Sequence, residues 1–330
     1  MSYCFRVPGV RTLRYEDVIG GESVACETGA ELKGTWRTGV SHRLYRAGVT
    51  TRSIECVLSE DTFRVRLFSG ACSEDYALAL QFAGRAARAC DTTVVSEEGV
   101  SFLPDQRGHR YGRGWIDDHV RTIGKVILRM AAAKRSDEPL IVEGPNRAFH
   151  MGPRTAEHIA QEGRTDLERA EVMFSLMRQV QYPPVPISEP KAIVLPDSEA
   201  VVVAVLIEPE KPLVVQRTDV LTFQSHVPAH VSWSAAIELL GPFARYVDEW
   251  TVVVAAVPEE AWSDLLAAAN DMDFAPVAPD GLSEMTQHTW WSTQVTDAPT
   301  EVFQLPVARH DDTPVEDGVR RWWDVWRQRR

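Results

Sequence analysis

The sequence contains little lysine and no long apolar run. Five lysines accompany thirty arginines, so arginine supplies most of the basic charge. The longest apolar runs, residues 201–207 and 252–257, are far shorter than the ~18 residues that a membrane-spanning helix needs. The opening residues, MSYCFRVPGV, lack the basic and apolar regions of a secretory signal. We therefore expect a cytoplasmic protein without a transmembrane segment.

The cysteines do not follow a pattern that indicates disulfides or a metal site. They are Cys4, Cys26, Cys56, Cys72 and Cys90, an odd number without a C-x-x-C pair. This usage favours reduced thiols over a disulfide framework. The sequence also lacks the GxxxxGKS/T, GxGxxG and GxSxG patterns of phosphate loops, dinucleotide folds and serine hydrolases. We expect no metal and no cofactor.

The charge balance is acidic, with 35 basic and 47 acidic residues and a net charge of −12. Neutralising phosphates needs basic surface, so this balance argues against broad nucleic-acid binding, although a local basic patch remains compatible with it. An acidic protein attracts a basic partner over long distances. The alternative explanation is that the acidic charge only keeps the protein soluble. The sequence therefore favours a protein partner, with a basic surface as the first candidate.

A proline-rich segment, QYPPVPISEPK at residues 181–191, divides the chain. It has four prolines in eleven residues, which prevents a helix and favours an extended connector. The segment predicts an N-terminal domain over residues 1–180, a linker over 181–191 and a tryptophan-rich C-terminal domain over 192–330. The alternative is a long loop within one domain.

Two patterns in the first half predict a strand followed by a helix. FRVRLF at residues 63–68 alternates apolar and basic residues, as a half-buried strand does. Leu78 and Phe82 lie four residues apart and form a core-facing stripe. They predict a helix over residues 74–90 with Ser73 as its N-cap.

Further patterns complete the prediction of the fold class. Thr165 and Glu168 have the spacing of a capping box and predict a helix over residues 166–180. The run AVVVAVLI at residues 200–207 predicts a strand that is buried on both faces. Helices and strands mix in both halves without regular alternation. We therefore predict an α+β fold with two mixed subdomains, whose sheets are largely antiparallel or mixed.

Residues 63–99 carry a resemblance to a known family. The matching pieces are the alternating strand, SEDY at 73–76, AL at 79–80 and EEG at 97–99. This stretch resembles the middle of a bacterial protein family of similar length, to which no function is assigned. The stretch contains no catalytic motif, so the resemblance implies no functional residues.

The segment RGHRYGRGW at residues 107–115 is rich in arginine, glycine and aromatic residues. Arginine forks and aromatic rings can hold a phosphate or a nucleic-acid strand. The alternative interpretation is a solvated surface loop. The binding candidates that this segment provides are Arg107, Arg110, Arg113 and Trp115.

The catalytic candidates are Glu98, His109 and Cys72. In an enzyme, His109 would join Arg110 and Arg113 in holding a phosphate, and Glu98 would act as the base. Cys72 lies at the start of a predicted helix, where the helix dipole lowers a thiol pKa, but Glu74 opposes that effect.

Tryptophan is concentrated towards the C-terminal end, because seven of the ten tryptophans lie at Trp250 or later. Tryptophan fills protein cores and also anchors interfaces. Neighbours on a predicted strand point to opposite faces, and neighbours on a predicted helix diverge by about 100°. One member of each adjacent pair is therefore an interface candidate, and the pairs are Trp290 with Trp291 and Trp322 with Trp323. Instead of binding a different protein, these residues could also join copies of this chain into a homo-oligomer.

These observations favour a non-enzymatic bacterial protein-binding module. One specific version is an immunity protein that occludes a toxin. The alternative is a hydrolase or nucleotide-processing enzyme whose site is assembled from distant residues.

Overall fold

A computed structural model describes residues 2–103, 110–194, 201–226 and 228–272. It contains 36% helix and 27% strand in antiparallel or mixed sheets, which confirms the predicted α+β class. The chain forms two compact units, of which the first comprises the residues up to Tyr182 together with Val247–Glu249. The two-domain assignment made from the proline-rich segment stays a prediction. Several predicted site residues lie outside the described residues, namely Arg107, His109, Trp290, Trp291, Trp322 and Trp323.

The first unit combines a large sheet with helices and a separate hairpin. In chain order its elements are β1 (Ser2–Pro8), α1 (Tyr15–Ile19), β2 (Ala25–Cys26), β3 (Ser41–Tyr45), β4 (Ile54–Leu58), β5 (Thr62–Phe68), α2 (Ser73–Ala89), β6 (Val94–Val95), β7 (Ser101–Phe102), α3 (Arg113–Ala132), β8 (Leu140–Glu143), β9 (Ala148–Met151), α4 (Pro153–Glu162) and α5 (Asp166–Gln181). β8 and β9 pair only with each other in the described chain. All other strands of this unit belong to the large sheet.

The large sheet has the strand order β2-β3-β4-β5-β1-β6-β7, and its described pairings are antiparallel. Alternate residues of β5 point to opposite faces. Phe63, Val65 and Leu67 are therefore buried, whereas Arg64 is exposed. The alternation predicted for residues 63–68 is confirmed.

Helix α2 packs against the buried face of this sheet. Its Leu78 and Phe82 are both buried, as the helical stripe predicts. The helix begins at Ser73, and its N-cap is Cys72 instead of the predicted Ser73. The reason is that the carboxylate of Asp75 accepts a 2.8 Å hydrogen bond from the backbone N–H of Cys72. The capping box predicted at Thr165 is confirmed at the start of α5.

Helices α3 and α5 approach closely at a glycine. An ideal Cβ on Gly124 of α3 would lie 2.7 Å from the Cβ of Ala170 in α5. The missing side chain therefore lets the two backbones approach each other. Leu, Ile or Val at this position would separate the helices.

We expect Gly124→Ala to destabilise the protein by about 1–2 kcal/mol, although alanine is the better helix former by about 1 kcal/mol. The added methyl group has no space beside Ala170. Urea unfolding measures the effect, and Ala170→Gly should recover part of it in the double variant. Gly114→Ala is the matched control in the same helix, because nothing lies within 4 Å of a Cβ there. An equal response of both glycines would contradict this account.

The segment Val247–Glu249 is tied to the first unit by two buried carboxylates. Asp248 accepts a 2.9 Å hydrogen bond from the backbone N–H of His150 in β9. Glu249 accepts from the backbone N–H of Thr155, at 3.1 Å, and from its hydroxyl group. An acidic group at a helix N-terminus is favourable, and Thr155 lies in the first turn of α4. These contacts explain why the segment belongs to this unit.

The second unit contains a four-stranded sheet and a three-stranded sheet. Its elements are β10 (Lys191–Val194), β11 (Val201–Ile207), β12 (Leu213–Gln216), β13 (Val220–Phe223), β14 (Ala229–Ser232), α6 (Trp233–Leu240), a 3-10 helix (Gly241–Phe243), β15 (Ala244–Tyr246), β16 (Thr251–Val254) and α7 (Glu259–Asn270). The strand orders are β10-β11-β13-β14 and β12-β16-β15. β11 and β13 are parallel, and the other pairings are antiparallel.

Strand β11 corrects one expectation from the sequence. Its Val205 and Ile207 belong to the core of the second unit, but Leu206 is 44% exposed. The prediction that residues 200–207 are buried on both faces is therefore wrong at Leu206. Val205 and Ile207 point into this core, whereas the opposite face is covered at Ala204, which is 4% exposed, and open at Leu206.

Candidate functional site

The structure brings the predicted site residues Glu98 and Arg110 together, and it places Trp115 against Tyr3, which binds Glu98. Glu98 follows β6, and its Oε2 accepts a 2.5 Å hydrogen bond from the hydroxyl of Tyr3. The hydroxyl of Tyr111 donates to the same oxygen at 3.3 Å. A guanidinium nitrogen of Arg110 lies 3.8 Å from Oε1. Trp115 packs against Tyr3 with ring centroids 5.0 Å apart.

The electrostatics of Glu98 do not suit a general base. Partial burial raises its pKa, but hydrogen bonds from Tyr3, its own backbone, Ser96 and Tyr111 lower the pKa below its ordinary value overall. Burial and the neighbouring carboxylate also raise the pKa of Tyr3, so its phenol remains a donor. A carboxylate with a lowered pKa is a weak proton acceptor near neutral pH. This cluster therefore holds an ionised, structurally anchored carboxylate.

The basic segment predicted from the sequence is not one continuous loop in its described part. Helix α3 begins at Arg113, with Gly112 as its N-cap, so Arg113 and Trp115 lie in its first turn. The side chain of Arg113 is 94% exposed and lies 3.9 Å from Asp117. Trp115 is half-buried and stacks on His119 with a centroid distance of 4.1 Å. Arg113 therefore extends into solvent, whereas Trp115 belongs to an aromatic cluster, and their role in binding stays a prediction.

Cys72 lies at a helix start, as predicted, but its thiol is buried. Its exposed fraction is 1%. Burial, followed by the charges of Asp75 and Glu74, raises the pKa of this thiol well above its usual range. A nucleophilic cysteine needs an accessible thiolate. Cys72 therefore acts as a buried core residue, and all five cysteines are free thiols.

A cationic surface lies on the large sheet, opposite the face that α2 covers. Because side chains alternate along each strand, this face carries the residues between the buried ones. We call it the arginine face, and its members are Arg6, Arg43, Arg52, Arg64, Arg66 and Phe68. Arg6, Arg43 and Arg64 are exposed, and the other three are half-buried.

The strand register places two arginines directly opposite each other on this face. Arg6 of β1 pairs with Arg64 of β5. Arg66 approaches Glu55 at 3.6 Å, and Arg43 approaches Glu27 at 3.5 Å. Among the described residues, neither Arg6 nor Arg64 forms an ion pair. Like charges directly opposite in a sheet are destabilising, so this arrangement costs stability in the isolated chain.

Phe68 organises the other arginines of the face. The guanidinium groups of Arg43, Arg52 and Arg66 lie 5.2, 5.5 and 5.0 Å from the centre of its ring. A cation over an aromatic ring is stabilised by the charge distribution of the ring. The backbone N–H of Arg52 also donates to the buried carboxylate of Asp75 at 3.2 Å. These contacts hold the guanidinium groups before any partner binds.

Sequence reasoning missed the arginine face as a site. The alternation of residues 63–68 indicates that Arg64, Arg66 and Phe68 share one face of a strand. It does not show that Arg6 lies opposite Arg64, because β1 was not predicted. The signal that was available is the same alternation in SYCFRVP, where Tyr3, Phe5 and Val7 are buried.

The remaining observations bear on membranes, metals and relatives. Within the described ranges, no helix combines the length and the apolar character that crossing a bilayer requires.

In the described part of the chain, no three His, Cys, Asp or Glu side chains are grouped to hold a metal ion. Comparisons with protein-family models, curated proteins and solved structures found no match. The resemblance of residues 63–99 therefore stays a prediction.

Proposed function

We propose that the protein is a non-enzymatic binding module that holds an acidic protein partner on the arginine face. The pairing of Arg6 with Arg64 supports this proposal most directly. Carboxylates of a partner would relieve the repulsion between the two guanidinium groups and accept their forked hydrogen bonds. This partner differs from the basic one favoured by the net charge, because the charge at the contact surface decides complementarity.

The mixture of charges on this face favours a protein over a nucleic acid. Glu55 and Glu27 lie among the arginines and would repel an uninterrupted row of phosphates. They can accept hydrogen bonds from the donors of a protein surface. The net charge of −12 also opposes a polyanion that extends beyond the face.

A binding role agrees with the state of the catalytic candidates. Glu98 has a lowered pKa and accepts two phenol hydrogen bonds. Cys72 is buried and its pKa is raised. Neither residue supports the hydrolase or nucleotide-processing alternative. The immunity-protein version of the binding role stays a prediction.

Charge reversal on the arginine face tests the proposal. We expect the double variant Arg6→Glu, Arg64→Glu to bind the short acidic peptide GSEGESG at least tenfold more weakly than the wild type, since it loses two exposed charge pairs and gains two repulsions. Titration at low salt measures the affinity, and added salt should weaken wild-type binding. The same variant should lose any acidic protein that the tagged wild-type chain captures from its native lysate.

The matched control is Arg121→Glu, Arg129→Glu, which changes the same charge on the exposed side of α3. This control should bind the same peptide within about threefold of the wild type, because surface charges at a distance are screened. An equal loss of binding in both double variants would show that only net charge matters and would contradict the proposal. Tighter wild-type binding to a short single-stranded DNA than to this peptide would also contradict it.

A further inference from the structure

Three arginines of the arginine face surround one small side chain. Arg6 lies opposite Arg64, and Cys4 lies opposite Arg66, on the neighbouring strands β1 and β5. Neighbouring strands are about 4.8 Å apart, and residues two positions apart along a strand are separated by about 6.8 Å. Arg6, Arg64 and Arg66 therefore leave the sheet from three corners of a small quadrilateral. Cys4 occupies the fourth corner, where its short side chain leaves space above the sheet.

The electrostatics of Cys4 agree with this convergence. Burial has the largest effect and raises the pKa of its thiol. The charges of Arg64, Arg6 and Arg66 each lower that pKa, and Glu97 raises it. The strand register therefore places these three arginines beside Cys4, and their charges act on its thiol. Glu97 also lies beside Cys4, because its carboxylate accepts a 3.0 Å hydrogen bond from the backbone N–H of Cys4.

The charge and shape of this cluster distinguish between anionic groups. A single carboxylate has one charge and two oxygens, which one guanidinium fork already satisfies. A phosphomonoester carries a charge of about −1.5 to −2 near neutral pH and has three acceptor oxygens. The three arginines, with Glu55 beside Arg66 and Glu97 beside Cys4, leave a local charge of about +1, and their guanidinium donors outnumber the acceptors of a single carboxylate. Arginine clusters are a recurring means of recognising phosphorylated segments.

We infer that Arg6, Arg64 and Arg66 form a site for a phosphoryl group carried on a phosphorylated segment of the protein partner. This inference rests on the proposed function, because it assigns the anionic group that the arginine face recognises. The partner's phosphoryl oxygens would accept hydrogen bonds from the three guanidinium groups above Cys4. Arg43 and Arg52, which lie over Phe68, would contact residues that flank the phosphorylated position.

Alkylation of Cys4 reports occupancy of this site in the intact chain. Cys4 and Cys90 are half-buried, whereas Cys26, Cys56 and Cys72 are buried, so Cys90 provides an internal reference. A bound dianion disfavours the reactive thiolate of Cys4 and also covers it. We expect a glycine-flanked phosphoserine peptide to slow the reaction of Cys4 with iodoacetamide at least tenfold. The rate at Cys90 should not change, as measured by mass spectrometry of the alkylated peptides.

Variants and matched peptides make this test specific. Arg64→Gln should remove the protection of Cys4, and Arg121→Gln should retain it. The same peptide with serine should give no protection, and the peptide with glutamate should protect several-fold less.

Equal protection by the glutamate peptide would overturn the phosphoryl assignment and leave the proposed function standing. Equal protection by inorganic phosphate alone would overturn the phosphorylated protein segment as its source. Failure of these probes together with failure to bind the acidic peptide GSEGESG would overturn both proposals.

Discussion

Replacing Gln181 by alanine is expected to lower the free energy of unfolding by about 3 kcal/mol, through lost hydrogen bonds and a cavity. Gln181 is 1% exposed and ends α5. Its side-chain oxygen accepts from the backbone N–H groups of Asn146 and Arg147, at 2.9 and 3.0 Å. Its side-chain nitrogen donates to the carbonyl of Arg147 at 2.5 Å. One amide thus satisfies three backbone groups in the turn between β8 and β9.

The position of Gly144 makes this prediction more specific. An ideal Cβ on Gly144 would clash with the side-chain nitrogen of Gln181, so Gly144→Ala should also destabilise the hairpin. Because both changes disrupt the same contact, the double variant should be more stable than the sum of the single effects predicts. Urea unfolding measures the three variants, and hydrogen exchange of β8 and β9 localises the effect. Gln161→Ala, on the exposed side of α4, is the control and should cost less than about 0.5 kcal/mol. Strictly additive losses would argue against a shared contact.

The sequence predicts best those helices and strands whose pattern lies within a few consecutive residues. The strand at residues 63–68 and the helix that follows it are set by alternation and by a four-residue stripe. The capping box at Thr165 is likewise contained within four residues. Each of these signals requires no knowledge of distant segments. Packing in the structure then agrees with the local preference.

The strand order is the part of the fold that the sequence did not reveal. β1 inserts between β5 and β6, so the first residues of the chain pair with residues more than fifty positions later. Burial of Tyr3, Phe5 and Val7 stabilises this pairing, but no local pattern specifies the partner strand. The arginine face depends on that order, because Arg6 meets Arg64 only when β1 lies beside β5.

The sequence at residues 107–115 allows a loop, but part of this segment begins a helix. Two glycines, Gly112 and Gly114, lower the helix propensity of the segment, so the local sequence alone favours a loop. In the structure Gly112 is the N-cap and α3 begins at Arg113. Trp115 gains aromatic contacts with Tyr3 and Tyr111, each with centroids 5.0 Å apart. Contacts with a distant strand therefore outweigh the weak local preference.

A buried carboxylate under the arginine face carries a cost that varies with pH. Asp75 is fully buried, and its Oδ2 accepts hydrogen bonds from the hydroxyl of Thr51 and the backbone N–H groups of Arg52 and Cys72. Its Oδ1 has no hydrogen-bond partner. Burial raises the pKa of Asp75 to about 6, although the hydrogen bonds to Oδ2 act in the opposite direction. The residue thus fixes the backbone of Arg52 while it holds an incompletely solvated charge.

We expect Asp75→Asn to gain about 3 kcal/mol of stability relative to the wild type as the pH rises from 4 to 7. The folded pKa lies above the unfolded value of about 3.9, so the folded state binds the proton more tightly. The contribution of Asp75 is therefore fully present below pH ~4 and is lost as the pH rises through about 6. Urea unfolding at several pH values measures the difference between the two proteins, with the exposed Asp61→Asn as the control. Parallel profiles for wild type and Asp75→Asn would contradict a raised pKa. A gain of Asp75→Asn over the wild type that grows as the pH rises would show that the ionised Asp75 carboxylate costs stability near neutral pH.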